Sequence, residues 1–533
     1  MRNFNTILSN ILILIMLAGG SCQFGSGRKS GKPAENRLHG AVNHQSNLPF
    51  DSALLTNFFR SYPELKKYQE EVATVYRQHR FNQIWYDGQG VVEFGQTLFN
   101  KVAEIESEGV SSKFPYQEKV NGIFYDNIEN TLSQTETDLM LTNLYLFYAE
   151  KVYKGLDDTT TTGLGWLLPR KKVSYTALLD SVVAGPGSVP HDDSLLFSQY
   201  YKLREVLRQY REIEKKGGWN PIDLDPKLKA YKPGDTAKAI LQIRERLVVT
   251  GDLKQNNGSK SYDPELAEAV KRYQLRTGYN EEESILPKLI NEMNIPIGDR
   301  IRKIIVNMER CRWISPGFAR AKEYIVVNIP SFKLTMVRDG KQVFDCPVIV
   351  GNTMTKTVIF SGMLSYIVFS PYWNLPQSII NKEVKPGMAK NKNYLEKHNM
   401  EWNNGQVRQK PGKNNSLGLI KFIFPNSNDI YMHDTPAKSL FAKESRAFSH
   451  GCIRLGKPRD LAVTILENDP NWSPAKIDAA MHAGKESSYP LKSKIPVYIG
   501  YLTAWVDLQG AIHFYDDIYN RDGRLAELLY AEK

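Results

Sequence analysis

The stretch from Ile430 to Leu455 holds the side chains best suited to covalent chemistry in this 533-residue chain. Cys452 follows His450 and Gly451, and His433 stands 19 positions upstream of it. The reactive form of a cysteine is its thiolate, and an unperturbed thiol with a pKa of ~8.5 is mostly protonated at neutral pH. A nearby imidazole can take that proton and later return it to a leaving amine. Gly451 lets backbone approach a substrate closely, and N–H groups around Gly451 and Cys452 are candidates to hold an oxyanion. His433, His450 and Cys452 could instead ligate zinc, which does combine His and Cys around an open position. No His-Glu-x-x-His and no Cys-x-x-Cys supports that alternative, so thiol catalysis without metal or cofactor is the expectation.

The neighbours carry alternatives. Ser449 reads as a hydrogen-bonding brace and His450 as a shaper of the loop or a direct participant. Tyr431 packs in the core or lines the substrate groove. Arg454 pairs with an internal carboxylate or grips a substrate carboxylate with two prongs. Asp434 orients a ring nitrogen or begins the Asp-Thr-Pro turn. Trp373 is core or groove wall.

Strands must position these residues. From about residue 300 the sequence turns rich in β-branched and aromatic residues, as in YIVVNIP (324–330), SFKLTMV (331–337) and QVFDCPVIVG (342–351). Asp339-Gly340 between two such runs signals a tight hairpin. Further runs at 364–369, 419–424, 495–500 and 511–515 point to an antiparallel sandwich or barrel-like core. Residues 377–425 are unusually polar for the middle of a β domain, with Lys382, Lys385, Lys390, Lys392 and Lys397, and read as a lid inserted before the catalytic stretch. Residues 50–230 are helical in pattern, for example Glu64 to Arg80, Asp138 to Tyr153, and Ser198 to Lys216. In the last, Tyr201, Val206, Leu207 and Tyr210 share a face. Residues 232–296 predict a helical hairpin. Asp235 caps a helix bearing Ile240, Ile243 and Leu247, and Asp263-Pro264 opens a second bearing Leu266, Val270 and Tyr273. The whole reads as a multidomain α+β protein.

His433 and then Ser449-His450-Gly451-Cys452 resemble the signature of the L,D-transpeptidases, with Arg454 where smaller members often have Asn. The segments NMERCRW (307–313), VNIPSFKL (ending at Leu334), PYWNLP (371–376) and RQKPGKNNSLGLIKF (408–422) resemble the large multi-domain branch. The resemblance runs from about residue 55 to 525, and residues 232–296 resemble a small peptidoglycan-binding module. It implies a mainly antiparallel β catalytic domain over 300–525, with the insertion capping the substrate site. It also implies that Cys452 attacks a stem peptide between a diamino acid and D-alanine, with His433 as its base. A thioester and then a 3→3 cross-link to a second stem follow. Trimming of stems, attachment of proteins to the wall, and wall binding without catalysis remain alternatives.

A positive start at Met1-Arg2, an apolar run from Ile7 to Leu17 and small residues before Cys22 read as an export signal. They resemble a bacterial lipoprotein signal cut before a lipidated Cys22. Residues 23–48 then form a flexible tether, and the expected place is the periplasm or cell envelope, anchored to a membrane by lipid. The net charge of +11 is spread along the chain, and no nucleic-acid motif accompanies it. Four cysteines exclude a disulfide scaffold; Cys311 and Cys346 are expected to be free.

Overall fold

The computed structural model describes residues 48–87, 90–125, 128–183 and 195–531. The expected signal with Cys22, and all but the last residue of the tether, lie outside them. Among the described residues no helix is long and apolar enough to cross a membrane.

The chain mixes helix and sheet, with a helical N-terminal region and a C-terminal β-sheet domain. That domain is built on a nine-stranded sheet whose pairings form a ring. Lys341–Gly351 is followed round by Ile453–Leu455, Met432–His433, Ile420–Ile423, Phe360–Phe369, Ser487–Gly500, Glu323–Asn328 and Lys333–Arg338. The last pairs back onto Lys341–Gly351, and Ala447–Ser449 lies beside that same long strand. Pairing is mainly antiparallel, as expected; Met432–His433 runs parallel to Ile453–Leu455. Ile325, Leu334, Val348, Ile367, Phe422, Met432 and Ile453 fill the interior with no exposed surface. Asp339 and Gly340 both take positive φ (50° and 73°), the geometry an Asp-Gly hairpin demands.

The helical region is less independent than its sequence suggests. One apolar cluster runs from Leu65, Tyr76 and Trp85 through Leu144, Leu203 and Leu207 to Ile304 and Met308, and on into the barrel. Helix Ile297–Trp313 joins the two parts because it is buried on nearly all sides from Ile304 to Trp313. Polar contacts across the boundary repeat the theme: the Gln199 side chain exchanges two hydrogen bonds with the Val506 backbone (2.8 and 3.0 Å), and Ser111 Oγ donates to the Leu529 carbonyl (3.0 Å).

Local details depart from the sequence reading. Glu64 to Arg80 is a 3₁₀ segment, Pro63–Tyr68, followed by helix Gln69–Gln78. On Ser198–Lys215 the buried stripe is Tyr200, Leu203, Val206, Leu207 and Tyr210, with Tyr201 only half-buried. Asp235 does not cap the helix that starts at Lys238; its carboxylate accepts from the Lys232 N–H three residues back (2.7 Å) and closes a turn. Asp263 does cap, accepting from Leu266 N–H at 2.9 Å. The small helical unit has a core of its own that extends back to Ile222.

The insertion is a folded element with a separate core of Leu375, Ile380, Val384 and Val407, under a three-stranded sheet of Trp373–Asn374, Gln406–Gln409 and Met400–Asn403. Its expected extent of 377–425 needs correcting at both ends. Trp373 already pairs with Gln409, whereas Ile420–Ile423 belongs to the main sheet, its alternating residues Ile420 and Phe422 being fully buried.

Candidate functional site

Two short parallel strands bring the chemistry together. Met432 pairs with Ile453 and His433 with Arg454, and Ile453 N–H donates to the Tyr431 carbonyl (3.1 Å). Because side chains alternate along a strand, Met432 and Ile453 point into the core. Tyr431, His433, Cys452 and Arg454 therefore share the opposite face. On that face the Tyr431 and His433 rings lie 5.6 Å apart. Lys421 sits opposite His433 on the next strand.

His433 is buried. Its Nδ1 is 2.5 Å from the Asp434 carbonyl oxygen, an acceptor only, so Nδ1 carries the proton. Burial, reinforced by the nearby Arg454 charge, lowers the imidazole pKa to about 4, against the pull of the Asp434 and Leu417 carbonyls. The ring is thus neutral at neutral pH and able to accept a proton. Asp434 orients this ring by its carbonyl. Its carboxylate instead accepts from Leu419 N–H (2.9 Å) and pairs with Lys438 (2.5 Å). Gly418 permits this approach, since a Cβ there would stand 2.3 Å from the Asp434 carboxylate.

Cys452 is half-buried. Burial raises its thiol pKa, while the Tyr431 N–H and hydroxyl and the Arg454 charge favour the thiolate. Burial and the neighbouring sulfur both raise the Tyr431 phenol. Cys311 and Cys346 are buried free thiols, both pushed up by burial, Cys346 to about 11. Of the three described cysteines, Cys452 alone is accessible.

The loop before the sulfur is closed by hydrogen bonds. Ser449 Oγ donates to the Cys452 carbonyl (2.6 Å) and accepts from the Gly451 N–H (3.2 Å). The Gly451 N–H is thus committed to Ser449, and of the N–H groups expected there that of Cys452 is the donor without a hydrogen bond among the described residues. Gly451 has φ +117°, a conformation that only glycine holds without strain. His450 is exposed. Arg454 is half-buried, its Nε has no hydrogen-bond partner, and no carboxylate lies within ion-pair distance among the described residues. Trp373 is half-buried against the insertion core, on a different element from the four-residue face.

Sequence spacing gave no sign of the residues that brace this loop from far away in the chain. Thr357 Oγ1 donates to the Gly451 carbonyl (2.8 Å) and accepts from Gly351 N–H (2.9 Å). Tyr519 hydroxyl donates to the Gly351 carbonyl (2.6 Å) and accepts from Thr357 N–H (3.1 Å). Lys421 was also missed, although polar Lys between Ile420 and Phe422 marks a residue on the outer face of its strand.

Comparison with known proteins shows what this chain, with a cysteine, a buried histidine and an arginine on one barrel face, is similar to. The family model of the L,D-transpeptidase catalytic domain matches residues 322–477, and that of a scaffold domain matches 70–207. Along the chain the scaffold-domain match precedes the catalytic-domain match. A Haemophilus influenzae protein named "Putative L,D-transpeptidase" is 35% identical over 245 residues, 42% of this chain and 49% of that protein. The chain thus spans about half the length of this curated relative. Solved structures with similarity include an L,D-transpeptidase from Stackebrandtia nassauensis (16% identity, 52% of this chain and 95% of that one, TM-score 0.22). Another is the L,D-transpeptidase of Xylanimonas cellulosilytica (12% identity, 52% and 100%, TM-score 0.17).

Proposed function

We propose that this protein is a peptidoglycan L,D-transpeptidase that forms 3→3 cross-links between stem peptides through a cysteine thioester. The observation that carries the proposal is the register of Met432–His433 against Ile453–Leu455, which sets Tyr431, His433, Cys452 and Arg454 on one face. In the proposed reaction His433 Nε2 accepts the Cys452 proton as the sulfur attacks the carbonyl of the diamino acid. The Cys452 N–H binds the resulting oxyanion. The C–N bond to the terminal D-alanine breaks, and the imidazolium returns the proton to the departing amine. The side-chain amine of a second stem then attacks the thioester and loses a proton to His433, and the thiol is released. Arg454, with no carboxylate within ion-pair distance among the described residues, is suited to hold a substrate carboxylate. The insertion caps the bound stem, and the unit 232–296 binds the wall polymer. Cys22 carries the lipid that tethers the protein in the periplasm or cell envelope, a reading supported by the sequence of residues 1–22.

The test is mass spectrometry of muropeptides incubated with purified protein. Cross-linked dimers joined through two diamino acids, absent with Cys452→Ala, are the expected result. Shortened stems without dimers would replace cross-linking by trimming as the function. Dimers formed equally by Cys452→Ala would refute the role of the sulfur.

A further inference from the structure

A cavity of about 280 Å³ lies where the scaffold segment 163–166, barrel residues Lys356 and Ile359, and the C-terminal segment 519–525 meet. Its floor is apolar, from Trp166, Trp313 and Leu525, and its charged lining is all positive: Arg310, Lys356, Arg521 and Arg524. No Asp or Glu lines it. Arg310 is neutralised by Asp522 (2.7 Å). The other three have no carboxylate within ion-pair distance among the described residues, although the Asp517 charge acts favourably on Arg521. The Lys356 ammonium donates to the Tyr519 carbonyl (3.1 Å), and Arg521 Nη1 donates to the Leu164 carbonyl (2.6 Å). Arg521 Nε is buried without a hydrogen-bond partner, although nearly all such groups find one in folded proteins. Three cations gathered around one cavity repel each other, and an anion placed among them removes that cost. The volume sits at the lower end of small-molecule sites, so the ligand must be small.

We propose that this cavity binds a small oxyanion, carboxylate or phosphate, between Lys356, Arg521 and Arg524. Its back wall reaches the catalytic loop: Tyr519 lines the cavity and, through Gly351 and Thr357, holds the Gly451 carbonyl. An occupied cavity therefore steadies residues 449–452. This second part rests on the role proposed for Cys452; the binding itself does not.

Calorimetric titration of the full chain with inorganic pyrophosphate and, separately, with citrate tests the site and distinguishes phosphate from carboxylate. Saturable binding of at least one is expected, weakened tenfold or more by Arg524→Ala and further by Lys356→Ala with Arg524→Ala. Arg524 is exposed on its helix, so the first variant folds. Lys227→Ala with Lys229→Ala, the same charge change on the distant small unit, should bind as the parent does, and so should Cys452→Ala. Absence of saturable binding by both probes, or equal weakening by the distant pair, overturns the site. Hydrogen exchange at residues 449–452 should slow by a factor of a few at saturation. Binding with unchanged exchange there overturns the link to the catalytic loop while leaving the site standing.

Discussion

Around Arg312, where helix Ile297–Trp313 meets the scaffold, every buried charge has a partner. Its guanidinium donates to Glu309 (2.8 Å) and to the carbonyls of Val152 (3.0 Å) and Glu108 (2.6 Å). Glu309 also accepts from Trp313 Nε1 and Leu156 N–H, both at 2.7 Å. Glu108 accepts from Tyr200 hydroxyl (2.7 Å) and Arg204 (3.0 Å). Around Cys452 the same kinds of group are left incomplete. Arg454 Nε has no partner, and the thiol of Cys452 makes only a long hydrogen bond, 3.7 Å, to the Asp429 carbonyl. A buried polar network that is fully satisfied rigidifies a fold. One that is left open has capacity for a ligand, and buried ionisable groups identify a site only when their unmet bonds are counted.

The largest expected effect is at the open cluster. His433→Ala should slow acylation of Cys452 by about 100- to 10,000-fold, measured as the rate of adduct formation by intact mass, while the unfolding midpoint changes little. An unchanged rate would remove the imidazole from the mechanism. Arg312→Met gives the mirror image. It leaves Glu309 buried without its cation and should cost about 3–5 kcal/mol in denaturant unfolding, with acylation per folded molecule intact. A stable variant that had lost acylation would erase the contrast between the clusters.

The next effect is a dependence of stability on pH. His433 falls from 6.5 in the unfolded chain to about 4 in the folded one, so between these values the unfolded chain binds more protons. Stability is therefore whole above about pH 6.5 and declines as pH falls towards about 4, by up to about 3 kcal/mol at 1.36 kcal/mol per pKa unit. The difference between parent and His433→Gln unfolding curves should follow that slope; parallel curves would mean that the ring is solvated. Smallest is Tyr431→Phe. Loss of one hydrogen bond to the thiolate, worth about 1.5 kcal/mol, should slow alkylation of Cys452 about tenfold at neutral pH. An equal rate would show that the backbone N–H of Tyr431 suffices.

Much of the candidate face was legible because its members lie within 24 positions, from Tyr431 to Arg454, and strand alternation sorts them. The hairpin at Asp339-Gly340 and the cap at Asp263 were legible for a similar reason: each is a local rule satisfied by local residues. What the sequence hid was non-local. Tyr519 and Thr357 brace Gly451 from 68 and 94 positions away, and nothing in their own neighbourhoods marks them. Asp235 misled because a carboxylate near a helix start can equally close the turn before it. Tyr201 misled because tertiary packing turned the buried stripe by one residue, and an amphipathic helix with three tyrosines on neighbouring faces leaves that rotation open. Helix Ile297–Trp313 was hidden as well: the strand-rich texture expected from about residue 300 starts only at Glu323, and the helix before it, buried nearly all round, is the seam between two halves.

That seam sets an order of assembly. Ser111 awaits Leu529, and Gln199 awaits Val506, so the first half of the polypeptide cannot finish its interior until nearly the last residues have been made. Contacts spanning such stretches are late and slow to form. A fragment ending before the barrel would keep Leu203 and Leu207 without the surface they were shaped for, and would be prone to clump. The small helical unit closes its apolar core around Ile243 and Leu266 from its own residues and meets the distant terminus only at its surface, where Arg276 donates to the Ile512 carbonyl (3.5 Å).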